Sequence, residues 1–286
     1  MSIRIIQVPY DSGIRDQRMG RGPSHFIANG LVDRLQEIDE SVTDIIAESK
    51  GSFPTEVGTT FELQREISNQ VKLALANDQF PLILSGNCCS TVGALAGFES
   101  RNMALIWFDA HGDFNTPETT TSGFLDGMAL SIIVGHCWKS LAQAIAGFRP
   151  LPENRVARVG SRDLDAAEET RLKDSQIKLA RYEQIQASGT VETLNPILER
   201  LSGSVEGGYL HIDMDVLNPD FAPVNSYQPP EGLSPEQMQE IIESIAAKFP
   251  ISGASVTAYD PEMDPENKGL AAGLDLISLI VKAVLK

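Results

Sequence analysis

The sequence predicts an α/β fold, a parallel sheet covered by helices on both faces, and three observations predict it. Short apolar runs such as Leu105-Ile-Trp-Phe108 recur along the chain and read as buried strands. They alternate with segments of helical period, and strands alternating with helices imply parallel pairing. From Pro81 onward each run ends in a polar cluster. In folds of this class the site lies outside the carboxyl ends of the strands, so these clusters should share one rim.

Taken in order, Ile3 to Val8 is the first strand, closed by Pro9. A connector rich in glycine and arginine, Asp11-Ser-Gly13 to Gly22-Pro23, follows. Pro23-Ser24 opens a helix running to about Leu35, and Phe61 to Ala76 is a second, strongly periodic one. Pro81 to Leu84 is a strand ending in Ser85-Gly86-Asn87-Cys88-Cys89-Ser90, before a small-residue helix from Thr91 to Phe98. The run Leu105 to Phe108 ends in Asp109-Ala-His111-Gly-Asp113-Phe-Asn115-Thr-Pro117, and a helix follows through about Val134. Further strands are Arg155 to Val159, Gly208 to Ile212 and Gly253 to Tyr259. Helices Pro235 to Lys248 and Asn267 to Leu285 flank the last of these. No linker or internal repeat interrupts residues 1–286, so a single domain is expected.

Composition narrows the function. Net charge is −16, which argues against a nucleic-acid partner, because phosphate binding needs clustered Lys and Arg. Three cysteines, Cys88, Cys89 and Cys137, are too few for a disulfide framework and suggest a reducing compartment. The N-terminus lacks a signal-peptide pattern and no apolar run approaches a bilayer span. A cytoplasmic protein without membrane association is expected.

The chemistry concentrates at two strand ends. In extended chain Asp109, His111 and Asp113 point to one face. His211-Ile-Asp213-Met-Asp215 repeats the alternation. Converging carboxylates and imidazole are costly to bury unless they hold something. Hard oxygen donors with imidazole suit Mn²⁺ before Zn²⁺, Fe²⁺ or Ni²⁺, and several carboxylates suit a two-metal site.

Asp109-Ala-His111-Gly-Asp113 together with Asp213-Met-Asp215-x-x-x-Pro219 resembles the ureohydrolase family of arginases, agmatinases and formimidoylglutamases. Motif order and spacing match from about Ile3 to Pro261. The resemblance implies a three-layer αβα sandwich and a binuclear manganese site. Asp109 and Asp213 would bridge, Asp113 would hold one ion, and His111 and Asp215 the other. It implies hydrolysis of a linear C–N bond in a guanidino or amidino group, by attack of a metal-bridging hydroxide. Asp113 would take the remaining proton and pass it to the leaving amine. The residues matching Asn115 and Ser122 hold a substrate α-carboxylate in arginases, and the one matching Asp165 holds the α-amino group. Arginine and Nω-hydroxyarginine are therefore the leading small-molecule substrates, and a homo-oligomer (trimer or hexamer) is expected by analogy.

This chain departs from the family pattern at three places. Cys88 stands where the family has a metal-binding histidine; thiolate matches Mn²⁺ poorly, so that ion is expected to be weak, absent or different. The family's proton-shuttle histidine falls on Asp126, which could serve only with a raised pKa. The glutamate that grips the guanidinium falls on Ala258, with Asp260 two residues on and so on the same face of an extended chain. His211 stands where the family more often has a small residue and is a candidate outer partner of the centre. Two alternatives stay open: a non-catalytic binding protein on this fold, and a hydrolase of a non-guanidino amide or amidine.

Overall fold

The computed structural model describes residues 2–39, 41–51, 55–99, 102–203 and 205–285. Eight strands form one all-parallel sheet: β1 (Ser2–Val8), β4 (Val42–Ile46), β5 (Gln79–Ser85), β6 (Met103–Phe108), β7 (Val156–Val159), β8 (Lys178–Ala180), β9 (Gly207–Asp213) and β10 (Ile251–Thr257). Their order is β4-β1-β5-β10-β9-β6-β7-β8. Between β1 and β4 a two-strand hairpin, β2 (Tyr10–Asp11) and β3 (Ile14–Arg15), stands apart from the sheet.

The period-two alternation of the strands sorts their side chains between two cores. On β6, Ala104, Ile106 and Phe108 join one core, and Met103, Leu105 and Trp107 the other. The first core is covered by α1 (Gly22–Ala28), α2 (Leu31–Gln36), α8 (Tyr182–Ser188), α9 (Thr190–Ser202), α10 (Pro235–Ala246) and α11 (Lys268–Val284). The second is covered mainly by α3 (Glu56–Ala76), α4 (Ser90–Gly97) and α5 (Ala129–Ile133), with α6 (Lys139–Gln143) and α7 (Ala166–Asp174) at the margin. The result is the three-layer αβα architecture. Among the described residues no helix is long and apolar enough to cross a membrane.

The helix predicted from Pro23 to Leu35 is two helices, because Gly30 takes a left-handed φ of +86° between α1 and α2. The edge strands β4 and β8 escape the sequence pattern. Both are short, and β4 alternates between half-buried and exposed positions rather than reading as an apolar run. The segment between β6 and α5 opens into a long irregular loop before the short turn Asp126–Met128. That loop carries half of the site.

Candidate metal centre

Strand register brings the polar clusters to one rim. Thr257 lies opposite both Ser85 and Asp213, and Phe108 opposite Ile212, so β5, β10, β9 and β6 end almost level. Beyond those ends the chain stops being extended. Asp113 has φ +49°, and Asp215 lies in a tight turn, Met214–Val216. The carboxylates therefore converge through loop geometry, not through the simple alternation that the spacing suggested.

Backbone amides fix their orientation. Asp109 Oδ1 accepts the His111 N–H at 2.7 Å, and its Oδ2 accepts the Trp107 indole N–H at 2.9 Å. Asp213 Oδ1 accepts the Asp215 N–H at 2.8 Å, and Asp215 Oδ1 the Ala110 N–H at 3.2 Å. His111 Nδ1 lies 3.1 Å from Asp215 Oδ2 and 3.7 Å from Asp109 Oδ1. Asp113 Oδ2 is buried and has no hydrogen-bond partner.

The electrostatics are those of a site built for cations. Burial together with Asp109, Asp126 and Asp213 pushes Asp113 well above the usual carboxylate range. Burial, Asp215 and Asp109 do the same to Asp213. Burial would also raise Asp109, but hydrogen bonding from His111, the charge of Arg158 and the Trp107 N–H hold it below that range. Burial opposes charge on His111, yet Asp215 and Asp109 outweigh it and push its pKa up to about 12. The His111 imidazole thus sits beside two carboxylates, where a metal ion would supply the positive charge. The donors fit divalent cations: in one group Asp109, His111 and Asp215, and in the other Cys88, Asp109 and His211, offer ligand atoms within 4.8 Å of one another.

Cys88 comes from the turn between β5 and α4. Its Sγ is 3.0 Å from Asp213 Oδ2 and 3.4 Å from Thr257 Oγ1, and it is buried. Asp126 is placed quite differently from a cap of the turn it opens. Its carboxylate crosses to the start of α4 and accepts the N–H groups of Cys88 (2.8 Å) and Cys89 (2.7 Å), with the Asn87 amide at 3.0 Å. Burial nevertheless outweighs these donors and raises it to about 6.

Above the carboxylates a cleft is lined by Cys88, His111, Asp113, Asp126, Asp213 and Asp215 on its floor. Asn115, Ser122, Asp163, Asp165 and Glu168 line its wall, and Phe124, Asn225, Tyr227, Met19 and Ala258 its other sides. Asn115 Nδ2 donates to Asp165 Oδ2 at 3.1 Å, while Ser122 is exposed on the loop. Glu168 braces this wall: its oxygens accept the Phe114 N–H at 2.9 Å and the Asp165 N–H at 3.2 Å. It reaches them only because Gly112 has no Cβ, which would lie 2.3 Å from the Glu168 carboxyl carbon.

Asp260 is not brought to the cleft. Ala258 adopts φ +66°, which breaks the extended geometry that would have aligned the two. Asp260 is turned aside, and its Oδ1 accepts the Glu262 N–H at 3.1 Å, capping the turn Pro261–Met263. Ala258 itself lines the cleft and brings no carboxylate there.

Sequence reasoning passed over Arg158. Its side chain is fully buried on β7, donates to the His111 carbonyl, and leaves Nε and Nη1 without partners. A charge inside the apolar run Val156-Ala-Arg-Val159 was the available signal, since a buried Arg is rare unless it faces compensating charge. Here that charge includes Asp109, Asp113 and Glu168. Asn225 and Tyr227 sit in a loop with ordinary turn composition and carried no signal.

Comparison with known proteins identifies the family. Residues 1–281 match the model of the Arginase family. The arginase of Bacillus subtilis strain 168 is 29% identical, covering 99% of each chain, and that of Bacillus caldovelox is 30% identical over 96% of each. The crystal structure of arginase from Bacillus subtilis subsp. subtilis strain 168 superposes with a TM-score of 0.89 at 27% identity, covering 98% of both chains. Formimidoylglutamase from the same organism shares the fold, with a TM-score of 0.77 at 19% identity, covering 99% of this chain and 87% of its own. With a family model matched over nearly its whole length and a rim of Asp109, His111, Asp113, Asp213 and Asp215 in place, this chain belongs to the arginase family.

Proposed function

We propose that the protein hydrolyses a linear C–N bond in the amidino group of an amino-acid-type substrate, with arginine and Nω-hydroxyarginine as the leading candidates. One observation carries this reading. Asp113, Asp213 and Asp215 line the same cleft as Asn115, Ser122 and Asp165, so the candidate metal donors and the candidate head-group residues share one cavity. The family and its curated relatives are hydrolases of this class, which supports it.

Asp109, His111 and Asp215 would hold one divalent ion, for which Mn²⁺ is the expected metal. Cys88 and Asp109 would supply donors to a second. When bound, the ions supply Lewis acidity that activates water near neutral pH. The chain's own groups do the rest. Asn115 and Ser122 receive the α-carboxylate, and Asp165 the α-amino group, fixing the distance from head group to centre. Asp113 Oδ2, buried and unpartnered, accepts a proton from water and returns it to the leaving nitrogen. The oxygen joins the amidino carbon as that nitrogen departs. Phe124 and Tyr227, stacked with ring centroids 6.0 Å apart, line the same cleft.

Ala258 favours the hydroxylated substrate of the two. A guanidinium cation gains from a facing carboxylate, and Ala258 supplies none where the family resemblance expects a glutamate. An N-hydroxyguanidine is less basic and needs it less. The test is release of urea, hydroxyurea or ammonia from a panel of guanidino and amidino compounds by metal-loaded protein. Turnover of amino-acid members is expected, with Nω-hydroxyarginine ahead of arginine. Silence on every member with metal bound would overturn the proposal. The cytoplasmic setting and a homo-oligomeric assembly belong to the same proposal and rest on the family alone.

A further inference from the structure

We infer that the deeper metal position is a zinc-type site made by Cys88, Asp109 and His211, and that the centre pairs two unlike metals across the shared Asp109. The inference rests on the reading of this rim as a metal centre and deepens it by assigning the ion at one position.

His211 carries it. The imidazole is fully buried on β9, beneath the rim. Its Nδ1 is engaged by Thr91 Oγ1 at 2.7 Å and Ser255 Oγ at 3.0 Å, while Nε2 has no hydrogen-bond partner among the described residues. A buried, orphaned nitrogen is costly in a folded protein. One ring nitrogen tied to a hydroxyl and the other left free is the pattern of a metal-binding histidine with its outer partner. A ring nitrogen of His211, Cys88 Sγ and a carboxylate oxygen of Asp109 lie within 4.8 Å of one another.

Trp107 holds this set in place. Its ring stacks on His211 at 3.6 Å, tilted by 24°, and its N–H donates to Asp109 Oδ2 at 2.9 Å. One indole therefore orients two of the three donors. Trp107 and His211 are direct cross-strand partners on β6 and β9, so the sheet register itself sets the geometry.

The donor types select the metal. Thiolate with imidazole and one carboxylate is a borderline-soft set that suits Zn²⁺ and matches Mn²⁺ poorly. Three protein donors with a further position open is the arrangement of catalytic zinc sites. The neighbouring position, Asp109, His111 and Asp215, has two carboxylates and no sulfur, and suits Mn²⁺. On binding, Zn²⁺ replaces the thiol proton of Cys88, which leaves to solvent, and a Zn–S bond forms.

The test uses the full chain stripped with chelator. Loading with Mn²⁺ alone is expected to give one tight equivalent. Adding Co²⁺ as a coloured zinc surrogate should fill one more equivalent with a thiolate-to-cobalt charge-transfer band in the near ultraviolet. Two tight Mn²⁺ equivalents, or bound cobalt without that band, would overturn the assignment. Cys88→Ser should lose the band and keep the manganese equivalent. His211→Asn should weaken the cobalt titration by more than the roughly 10–100-fold that loss of an outer partner costs; an unchanged midpoint removes His211 as a ligand. The wild-type spectrum decides the thiolate ligand even if a variant misfolds. A cobalt band without amidino turnover would overturn the catalytic proposal and uphold this one. Turnover with two manganese ions and no band would do the reverse.

Discussion

The two ends of the cleft have been treated differently by the sequence. At the outer end, the wall of Asn115, Ser122 and Asp165 carries the residues that the family resemblance leads one to expect for an amino-acid head group. At the inner end, Cys88, Asp126 and Ala258 stand where that resemblance expects two histidines and a glutamate. Between them lies the carboxylate cluster. The two ends differ in what builds them. One is an irregular loop braced by Glu168; the other gathers the ends of β5 and β10 with the turn at Asp126. If the first receives the head group, as proposed, the difference teaches that head-group binding and bond cleavage are separable in this scaffold. The replacements at the second would then change the terminal group acted on rather than the amino acid bound.

The largest expected effect comes from the residue common to both metal groups. Asp109→Asn removes a donor from Cys88–Asp109–His211 and from Asp109–His111–Asp215 together. Metal content by elemental analysis should fall towards background at both positions, and turnover with it. Retention of one full equivalent would show that the two positions are independent, and the shared-carboxylate picture would fail. Next comes Asp113→Asn, which keeps the shape of the side chain but removes its proton acceptor. A fall in kcat of about 10²–10⁴-fold is expected, with KM little changed. An unchanged kcat would move the proton transfer elsewhere, with Asp126 an alternative carboxylate in the cleft.

At the outer end the expected effect is smaller and of another kind. Asp165→Ala removes one charge-assisted hydrogen bond to the substrate amine, a contact worth about 1.5–3 kcal/mol. That converts to a rise in KM of about 10–150-fold with kcat nearly constant, since the contact is the same in ground and transition states. A loss confined to kcat would mean that the wall takes part in cleavage, and the separation of the two ends would collapse.

Much of this was legible in the sequence, and the failures have physical causes. Strand interiors such as Leu105 to Phe108 are buried on both faces, so their apolar runs announced the sheet and its polar ends announced the rim. Edge strands β4 and β8 lack that burial and left no such run. The Asp-x-His-x-Asp cluster was found, but the extended-chain reason for its convergence was not the operative one, because Asp113 lies at positive φ. The same assumption misplaced Asp260: a single residue at φ +66°, Ala258, redirects the chain between them. The surroundings of Arg158 and His211 depend on side chains meeting across β6, β7 and β9, and linear spacing does not contain those meetings. Periodicity reads the face a residue takes on its own strand. It does not read what waits on the next one.

Ala258 also gives the smallest expected effect and the finest test of the inner end. A non-glycine residue in the left-handed region costs roughly 1–2 kcal/mol in steric strain. Its N–H donates to the Ser85 carbonyl at 3.2 Å, and its carbonyl accepts from Asn225 Nδ2 at 2.9 Å, so the neighbours hold the conformation in place. Ala258→Gly relieves the strain but gives the unfolded chain more freedom, a loss of about 0.5–1 kcal/mol. The balance favours glycine by about 0.5–1 kcal/mol, or a rise in Tm of roughly 1–4 °C for a chain of this size. Thermal unfolding of the two proteins measures it directly. A lower Tm for the glycine variant would mean that the Ala258 methyl, which lines the cleft, contributes packing that outweighs the strain.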